Sequence, residues 1–217
     1  LCTASKLGHA DCVVALLDFN ANVNQAIGVK GFTPLWIACE HSRGPVVKAL
    51  LAAKADVNRT SDEGRSPLFI ACKYFDGDFR IIESLIAAKA DVNQAIDELA
   101  TPLSISCYAG HTAVVKRLLT LRAEVDTADH IGCTPLYCAS QQGRTAIVKA
   151  LIAANAAVSL PNQNGFSPLI VACQNGHTEV TADLLAANAK IEQANRENNA
   201  TAMAMACNNG HLGCVQL

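Results

Sequence analysis

Thr33-Pro34-Leu35 begins a motif that recurs along this chain of 217 residues. Its copies follow at steps of 33 to 35 residues: Ser66-Pro67-Leu68, Thr101-Pro102-Leu103, Thr134-Pro135-Leu136, Ser167-Pro168-Leu169 and a degraded copy, Thr201-Ala202-Met203. A nearly fixed period of this length is the signature of a repeat protein in which each copy is one supersecondary unit. The fold is therefore decided by what one copy can form and by how its neighbours cover it.

Each copy carries the signals of two short helices. Thr33 can cap the free amides at a helix start, and Pro34 suits the first helical position. The doublets Val46-Val47 and Leu50-Leu51 give a second helix one apolar stripe. A glycine before the next copy, such as Gly64, predicts a turn or hairpin. Because two short helices cannot bury their apolar faces alone, the pattern predicts a one-dimensional stack of copies.

The pattern resembles the ankyrin repeat, and the resemblance covers essentially the whole chain. It implies an all-α ankyrin-repeat solenoid of stacked antiparallel helix pairs with β-hairpin or turn fingers at one edge. The register predicts about seven repeats, of which the first and last are incomplete, so that we expect a piece of a longer array. Their approximate bounds are 1–32, 33–65, 66–100, 101–133, 134–166, 167–200 and 201–217.

The chain departs from the family pattern after each second helix, where the family favours glycine. Six other residues stand there: Asn20, Lys54, Lys89, Arg122, Asn155 and Asn188. Asparagine tolerates a left-handed helix cap, whereas lysine and arginine do so less well. Two local irregularities add to this. Two extra residues near 73–78 lengthen one turn, and Gly44-Pro45 predicts that its second helix starts slightly late.

The composition of the chain argues against several classes of function. A formal net charge of -2 gives no sign of the basic face that nucleic acid requires, and no apolar run approaches a membrane span. Five of the ten cysteines recur at the repeat period, and Cys133 with Cys138 is only a weak zinc signal without a second pair. We therefore expect free thiols, no metal site and an intracellular, cytoplasmic protein.

No motif for catalysis is present. The chain lacks the short signatures of hydrolases, nucleotide-binding loops and metalloproteases. Four histidines, His9, His111, His177 and His211, occupy one place of the repeat, which favours a structural role at a helix turn. The sequence predicts no enzyme, no cofactor and no small-molecule substrate. It predicts a protein-interaction scaffold; the alternative is a recognition segment of a longer multidomain enzyme or channel whose chemistry lies elsewhere.

The resemblance also indicates where a partner binds, namely across the finger tips and the inner face of the first helices. The N-terminal half offers acids and aromatics at these places, and aromatics are enriched at binding hot spots. We therefore expect an unidentified partner protein or peptide, carrying basic residues, to contact this half. The candidate residues are Phe32, Asp62, Glu63, Arg65, Lys73, Tyr74, Phe75, Asp97, Glu98 and Tyr108. The competing interpretation is that they are ordinary solvated tips and helix faces.

The resemblance implies one modification as well. Asparagine hydroxylases act on the asparagine of the Asp-Val-Asn segment in this family, and Asn24, Asn58 and Asn93 stand at that place. The plainer interpretation is a turn residue that forms hydrogen bonds, and the sequence favours it at each single site.

Overall fold

A computed structural model describes residues 1–217 and consists of fourteen helices. The chain divides into two compact units, Leu1–Pro102 and Leu103–Leu217, which are described separately below. The first helices of the repeats are α1 (Cys2–Leu7), α3 (Pro34–Glu40), α5 (Pro67–Lys73), α7 (Pro102–Ala109), α9 (Pro135–Gln141), α11 (Pro168–Gln174) and α13 (Ala202–Asn208). The second helices are α2 (Ala10–Asp18), α4 (Gly44–Ala52), α6 (Phe79–Ala87), α8 (Thr112–Thr120), α10 (Thr145–Ala153), α12 (Thr178–Ala186) and α14 (Leu212–Val215).

The predicted helix start is confirmed in atomic detail. The hydroxyl of Thr33 accepts a hydrogen bond from the amide of Trp36 at 3.1 Å, and Ser66 accepts one from Phe69 at 3.2 Å. Thr134, Ser167 and Thr201 cap their helices in the same way. Each cap satisfies one amide that the first helical turn leaves without a partner, which contributes roughly 1 kcal/mol per helix.

Burial explains why the copies stack. Every residue from Pro34 to Cys39 is buried, so α3 is covered on all sides. In α4 only the stripe of Val46, Val47 and Leu50 is buried, each with no exposed surface. Full burial of such a side chain is worth about 1.5–3 kcal/mol. Helix α4 therefore faces solvent on one side, and α3 lies in the interior.

Each unit contains two parallel rows of helices. In the first unit, α3 packs between α1 and α5, and α4 packs between α2 and α6. In the second unit, α11 packs between α9 and α13, and α12 packs between α10 and α14. First helices also pack against the second helix of their own repeat, for instance α3 against α4 and α11 against α12. The predicted all-α fold of stacked antiparallel helix pairs is confirmed within each unit.

The fingers between repeats are turns, with isolated β-bridges at Ile27–Phe32 and Ala194–Thr201. Asparagine side chains link them from one repeat to the next. Asn24 Oδ1 accepts a hydrogen bond from the amide of Asp56 at 2.9 Å, and Asn58 Oδ1 accepts one from Asp91 at 2.8 Å. The expected role of Asn24 and Asn58 as hydrogen-bonding turn residues is therefore confirmed.

Left-handed backbone follows every complete second helix, at the six places where the family favours glycine. The φ angles are 61° at Asn20, 61° at Lys54, 69° at Lys89, 59° at Arg122, 62° at Asn155 and 61° at Asn188. The amide of Lys54 donates a hydrogen bond to the carbonyl of Leu51, and that of Ala55 donates to Leu50. These bonds close the helix end, and a side chain with a Cβ in this conformation is strained.

The expectation of a late start for α4 was wrong. Helix α4 begins at Gly44, eleven residues after Thr33, and α8 begins at Thr112, also eleven residues after its Thr101. The glycine that is displaced to position 44 leaves Ser42 at the turn, and Ser42 adopts the left-handed conformation with φ 53°. Helix α4 therefore keeps its position in the repeat, because Ser42 adopts the strained left-handed conformation.

Candidate functional site

Successive finger tips in the first unit are joined through their backbones. The amide of Asp62 donates a hydrogen bond to the carbonyl of Lys30 at 3.0 Å, and the amide of Asp97 donates to Glu63 at 3.5 Å. A Cβ at Gly31 would lie 2.7 Å from Asp62 Oδ1, so the aspartate side chain lies directly against the neighbouring finger. The tips therefore form one continuous row that carries the predicted acids side by side.

The acids in this row differ in their surroundings. Asp62 and Asp97 are exposed. Glu63 instead forms ion pairs with Lys30 Nζ at 3.0 Å and with Arg65 at 2.6 Å. The hydrogen bond from Lys30, followed by the charge of Arg65, holds the pKa of Glu63 below its ordinary value. Two cations thus oppose the single charge of Glu63, and Asp62 and Asp97 contribute more of the negative potential at the tips.

Lys73 and Tyr74 lie at the C-terminal end of the inner helix α5. The ammonium group of Lys73 is close enough to help lower the pKa of Glu63, and it lies 5.2 Å from the centre of the Tyr74 ring. Tyr74 is 44% exposed at the C-terminal end of α5. A cation over an aromatic face is worth about 0.5–1 kcal/mol at an exposed site. Lys73 and Tyr74 thus present a charged and an aromatic group together at the end of α5.

The other predicted aromatics have different positions. Phe32 stacks on Trp36, with ring centroids 4.1 Å apart, and Trp36 is only 2% exposed, so Phe32 is anchored to the core. Phe75 packs edge-on against Phe79 at 6.0 Å and lines a small cavity beside the lengthened turn. Tyr108 lies in the second unit, on α7, and is 50% exposed. Tyr108 follows Thr101 by seven residues, just as Lys73 follows Ser66 by seven residues. In the repeat, Tyr108 therefore corresponds to Lys73 and not to Tyr74.

Leu99 is a candidate that the sequence interpretation missed. It lies at the third finger tip with φ 64°, and 51% of its surface is exposed. The same place holds glycine in four other fingers and Asn199, with φ 56°, in another. A left-handed conformation costs an ordinary residue roughly 1–2 kcal/mol. The available signal was its position two residues before Thr101, where Gly31 and Gly64 stand before Thr33 and Ser66.

The cysteines and histidines are parts of the scaffold. All ten cysteines are free, and only Cys12 and Cys207 are exposed. Burial raises the pKa of Cys133 to about 11 and that of Cys138 to about 12, which opposes formation of a reactive thiolate. His177 Nε2 lies 3.0 Å from the carbonyl of Gln141 in the preceding repeat, and His211 contacts Gln174 in the same way.

Two further properties bear on the class of site. Nowhere in residues 1–217 do three or more His, Cys, Asp or Glu side chains gather in an arrangement that could hold a metal ion. None of the fourteen helices is long and apolar enough to cross a membrane.

Comparison with known proteins gives a consistent picture. The family model described as "Ankyrin repeats (3 copies)" matches residues 1–96, 68–162 and 152–217. The crystal structure of the human ASB11 ankyrin repeat domain superposes with a TM-score of 0.81 and 26% identity, over 94% of this chain and 90% of that one. The glycerophosphocholine phosphodiesterase GDE1 of Candida albicans is 39% identical over 69 residues. That match covers 32% of this chain and only 6% of the phosphodiesterase.

Proposed function

Because this chain belongs to the ankyrin-repeat family, whose members are in general protein-interaction modules, we propose that it is a scaffold that binds a partner protein or peptide. The proposed surface comprises the finger tips and the concave face of the N-terminal half. One observation carries the proposal: the exposed ring of Tyr74 lies under Lys73, in the same unit as the joined finger tips that carry Asp62 and Asp97. Half-exposed aromatics beside a charged rim are the usual composition of a binding hot spot.

Charge suggests the chemistry of the partner. Asp62 and Asp97 are exposed on successive tips, and the pairing of Glu63 with Lys30 and Arg65 leaves these two as prominent carboxylates. Adjacent repeats are spaced at roughly 8–10 Å, about one Debye length, so the two charges act together on an approaching molecule. We infer a partner that carries basic residues, rather than nucleic acid, a membrane or a small molecule, and we place this binding inside the cell, in the cytoplasm.

A second candidate is favoured by the partial similarity to GDE1. A match over 69 residues that spans 6% of a phosphodiesterase suggests that such repeats are attached to catalytic domains in other proteins. In this alternative, the chain is the recognition segment of a longer multidomain enzyme or channel. The ankyrin fold is itself typically non-catalytic. The full-length open reading frame tests the alternative, since a catalytic or channel domain in the same frame would support it.

Binding kinetics test the scaffold proposal. A partner would first be identified by cross-linking and pull-down, and its binding kinetics would then be measured with three variants. One variant carries Asp62→Asn, Glu63→Gln, Asp97→Asn and Glu98→Gln together. The other two are Tyr74→Ala and Tyr108→Ala. Neutralised tips should slow association, with a smaller effect at high salt, because charge mainly steers encounter. Loss of either tyrosine should speed dissociation by about tenfold, since buried aromatics hold a complex after water is excluded.

Glu197→Gln provides the matched control, because Glu197 is an exposed acid on a finger of the second unit. It should leave association unchanged. Unaltered kinetics in every N-terminal variant, with the fold confirmed by circular dichroism, would move the binding site to the half rich in glutamine and asparagine. A Tyr74→Ala variant that loses stability but still binds normally when folded would instead assign Tyr74 to covering the lengthened turn.

A further inference from the structure

Leu99 combines two properties that oppose the stability of the chain. Its backbone is left-handed, with φ 64°, in a place that four other fingers fill with glycine. Its side chain is also half exposed, so it gains little from burial in return. Replacement by glycine, or by asparagine as at Asn199, would remove the backbone strain. Strain of this kind in an ordered residue motivates a functional hypothesis.

The finger around Leu99 is well ordered by hydrogen bonds. The amide of Leu99 donates to the carbonyl of Ile96 at 2.7 Å, and that of Ile96 donates to Ala100 at 3.0 Å. Ile96 is buried, at 8% exposure, and fixes the base of the finger. The leucine side chain is therefore presented from a turn that is closed by backbone hydrogen bonds. Presentation from a preorganised element lowers the entropy that a binding partner must overcome.

The surroundings of Leu99 supply the second half of the inference. Asp97 is exposed two residues away, and its amide is joined to the neighbouring finger through the carbonyl of Glu63. Glu98 is exposed between Asp97 and Leu99. An apolar side chain that stands beside carboxylates complements a ligand with an apolar residue next to lysine or arginine.

We propose that Leu99 is a contact point for the partner, and that the partner segment places an apolar side chain on it, flanked by basic residues that face Asp97. This inference rests on the proposed scaffold function and names the chemistry recognised at one of its finger tips. It explains why a residue that weakens the fold occupies an exposed tip. The partner gains an apolar anchor there that glycine cannot provide.

A display library of random 12-residue peptides is the probe. Peptides are selected on the wild-type chain, and their affinities are then measured for Leu99→Gly, Leu99→Asn and Leu99→Ala. All three variants should bind about tenfold more weakly, which is the loss expected for a moderately important contact. The urea midpoint should rise for Leu99→Gly and Leu99→Asn, and should stay close to wild type for Leu99→Ala, which keeps a Cβ in the strained backbone.

Asn199→Gly is the matched control, because it relaxes the equivalent place of another finger and should leave peptide binding unchanged. The selected peptides should share an apolar residue flanked by lysine or arginine. The inference would be overturned if wild type and Leu99→Gly bound the peptides equally well, or if acidic peptides were selected. If Tyr74→Ala still lowered the affinity for those peptides, the scaffold function would stand. If no peptide were selected, the scaffold function and the Leu99 contact would both be contradicted for partners that bind as linear peptides.

Discussion

Replacement of Lys54, Lys89 and Arg122 by glycine should stabilise the chain. These three residues follow second helices with φ angles of 61°, 69° and 59°. All three side chains are exposed, and none of them takes part in the ion pairs of the chain. Glycine has no Cβ to collide with the following carbonyl in the left-handed region, so the substitution relieves strain without breaking an ion pair.

Two opposing effects set the magnitude. A Cβ in the left-handed region costs roughly 1–2 kcal/mol per residue. Glycine in turn loses more conformational entropy on folding than other residues, which costs roughly 0.5–1 kcal/mol. The free energy of unfolding should therefore rise by about 0.5–1 kcal/mol per site. Since the three sites share no side-chain partner, their effects should add to about 2 kcal/mol. For a chain of this size that corresponds to a Tm higher by roughly 4–8 °C.

Two kinds of control separate backbone strain from charge. Ala53 and Ala88 precede Lys54 and Lys89 with φ of -81° and -79°, an ordinary conformation. Ala53→Gly and Ala88→Gly should therefore lower stability by about 0.5–1 kcal/mol. Lys54→Ala removes the charge but keeps the Cβ, so it should gain almost nothing.

Urea unfolding followed by circular dichroism is the measurement, with each variant compared at equal m-value. Midpoints that stay level or fall in all three glycine variants would refute the reasoning, because strain would then be too small to matter. An equal gain for Lys54→Ala and Lys54→Gly would refute it in another way, since repulsion or helix-end charge would explain the gain.

Two further predictions follow from packing and burial. A Cβ at Gly64 would lie 2.6 Å from Asp97 Oδ1 and 2.8 Å from its amide nitrogen, whereas a Cβ at Gly28 would have no atom within 4 Å. Gly64→Ala should therefore lower the urea midpoint more than Gly28→Ala does. The reverse order would contradict the stacking of the fingers. With an alkylating reagent at pH 8, Cys12 and Cys207 should react fast, and the other eight cysteines should react only on unfolding. Denatured, unreduced protein should show ten free thiols by mass spectrometry. Rapid labelling of Cys133, or fewer than ten thiols, would contradict this account.

Periodicity made the helices and their caps predictable. Thr33 and Ser66 cap helices because the same hydroxyl and proline recur at each start, and local hydrogen bonding decides that geometry. The left-handed backbone at Lys54 was predictable for the same reason, since its place in the register is fixed by helix length. The start of α4 was not, because Ser42 accepts a strained φ of 53° that a sequence rule assigns to glycine.

The candidate site was less predictable than the fold. The sequence places Lys30, Glu63 and Arg65 at finger tips, but their ion pairs depend on side-chain directions across two fingers, and no periodic pattern encodes these. Phe32 was predicted as a partner contact at a finger tip, and its stacking on Trp36 of the next repeat is a contact that the repeat pattern does not encode. Residues whose surroundings come from a neighbouring repeat are thus the hardest to assign from one copy.

The strained residues of this chain fall into two groups that should respond differently to glycine. Lys54 and Lys89 end helices, and their exposed side chains form no ion pair, so stability should rise with no effect on binding. Leu99 has the same left-handed backbone but carries an apolar side chain at a finger tip, so stability should rise while affinity falls. Natural proteins are rarely at their stability optimum, and strain alone therefore does not indicate function. A gain in stability that is coupled to a loss of affinity does, because the strained residue then contributes to binding what it costs in stability.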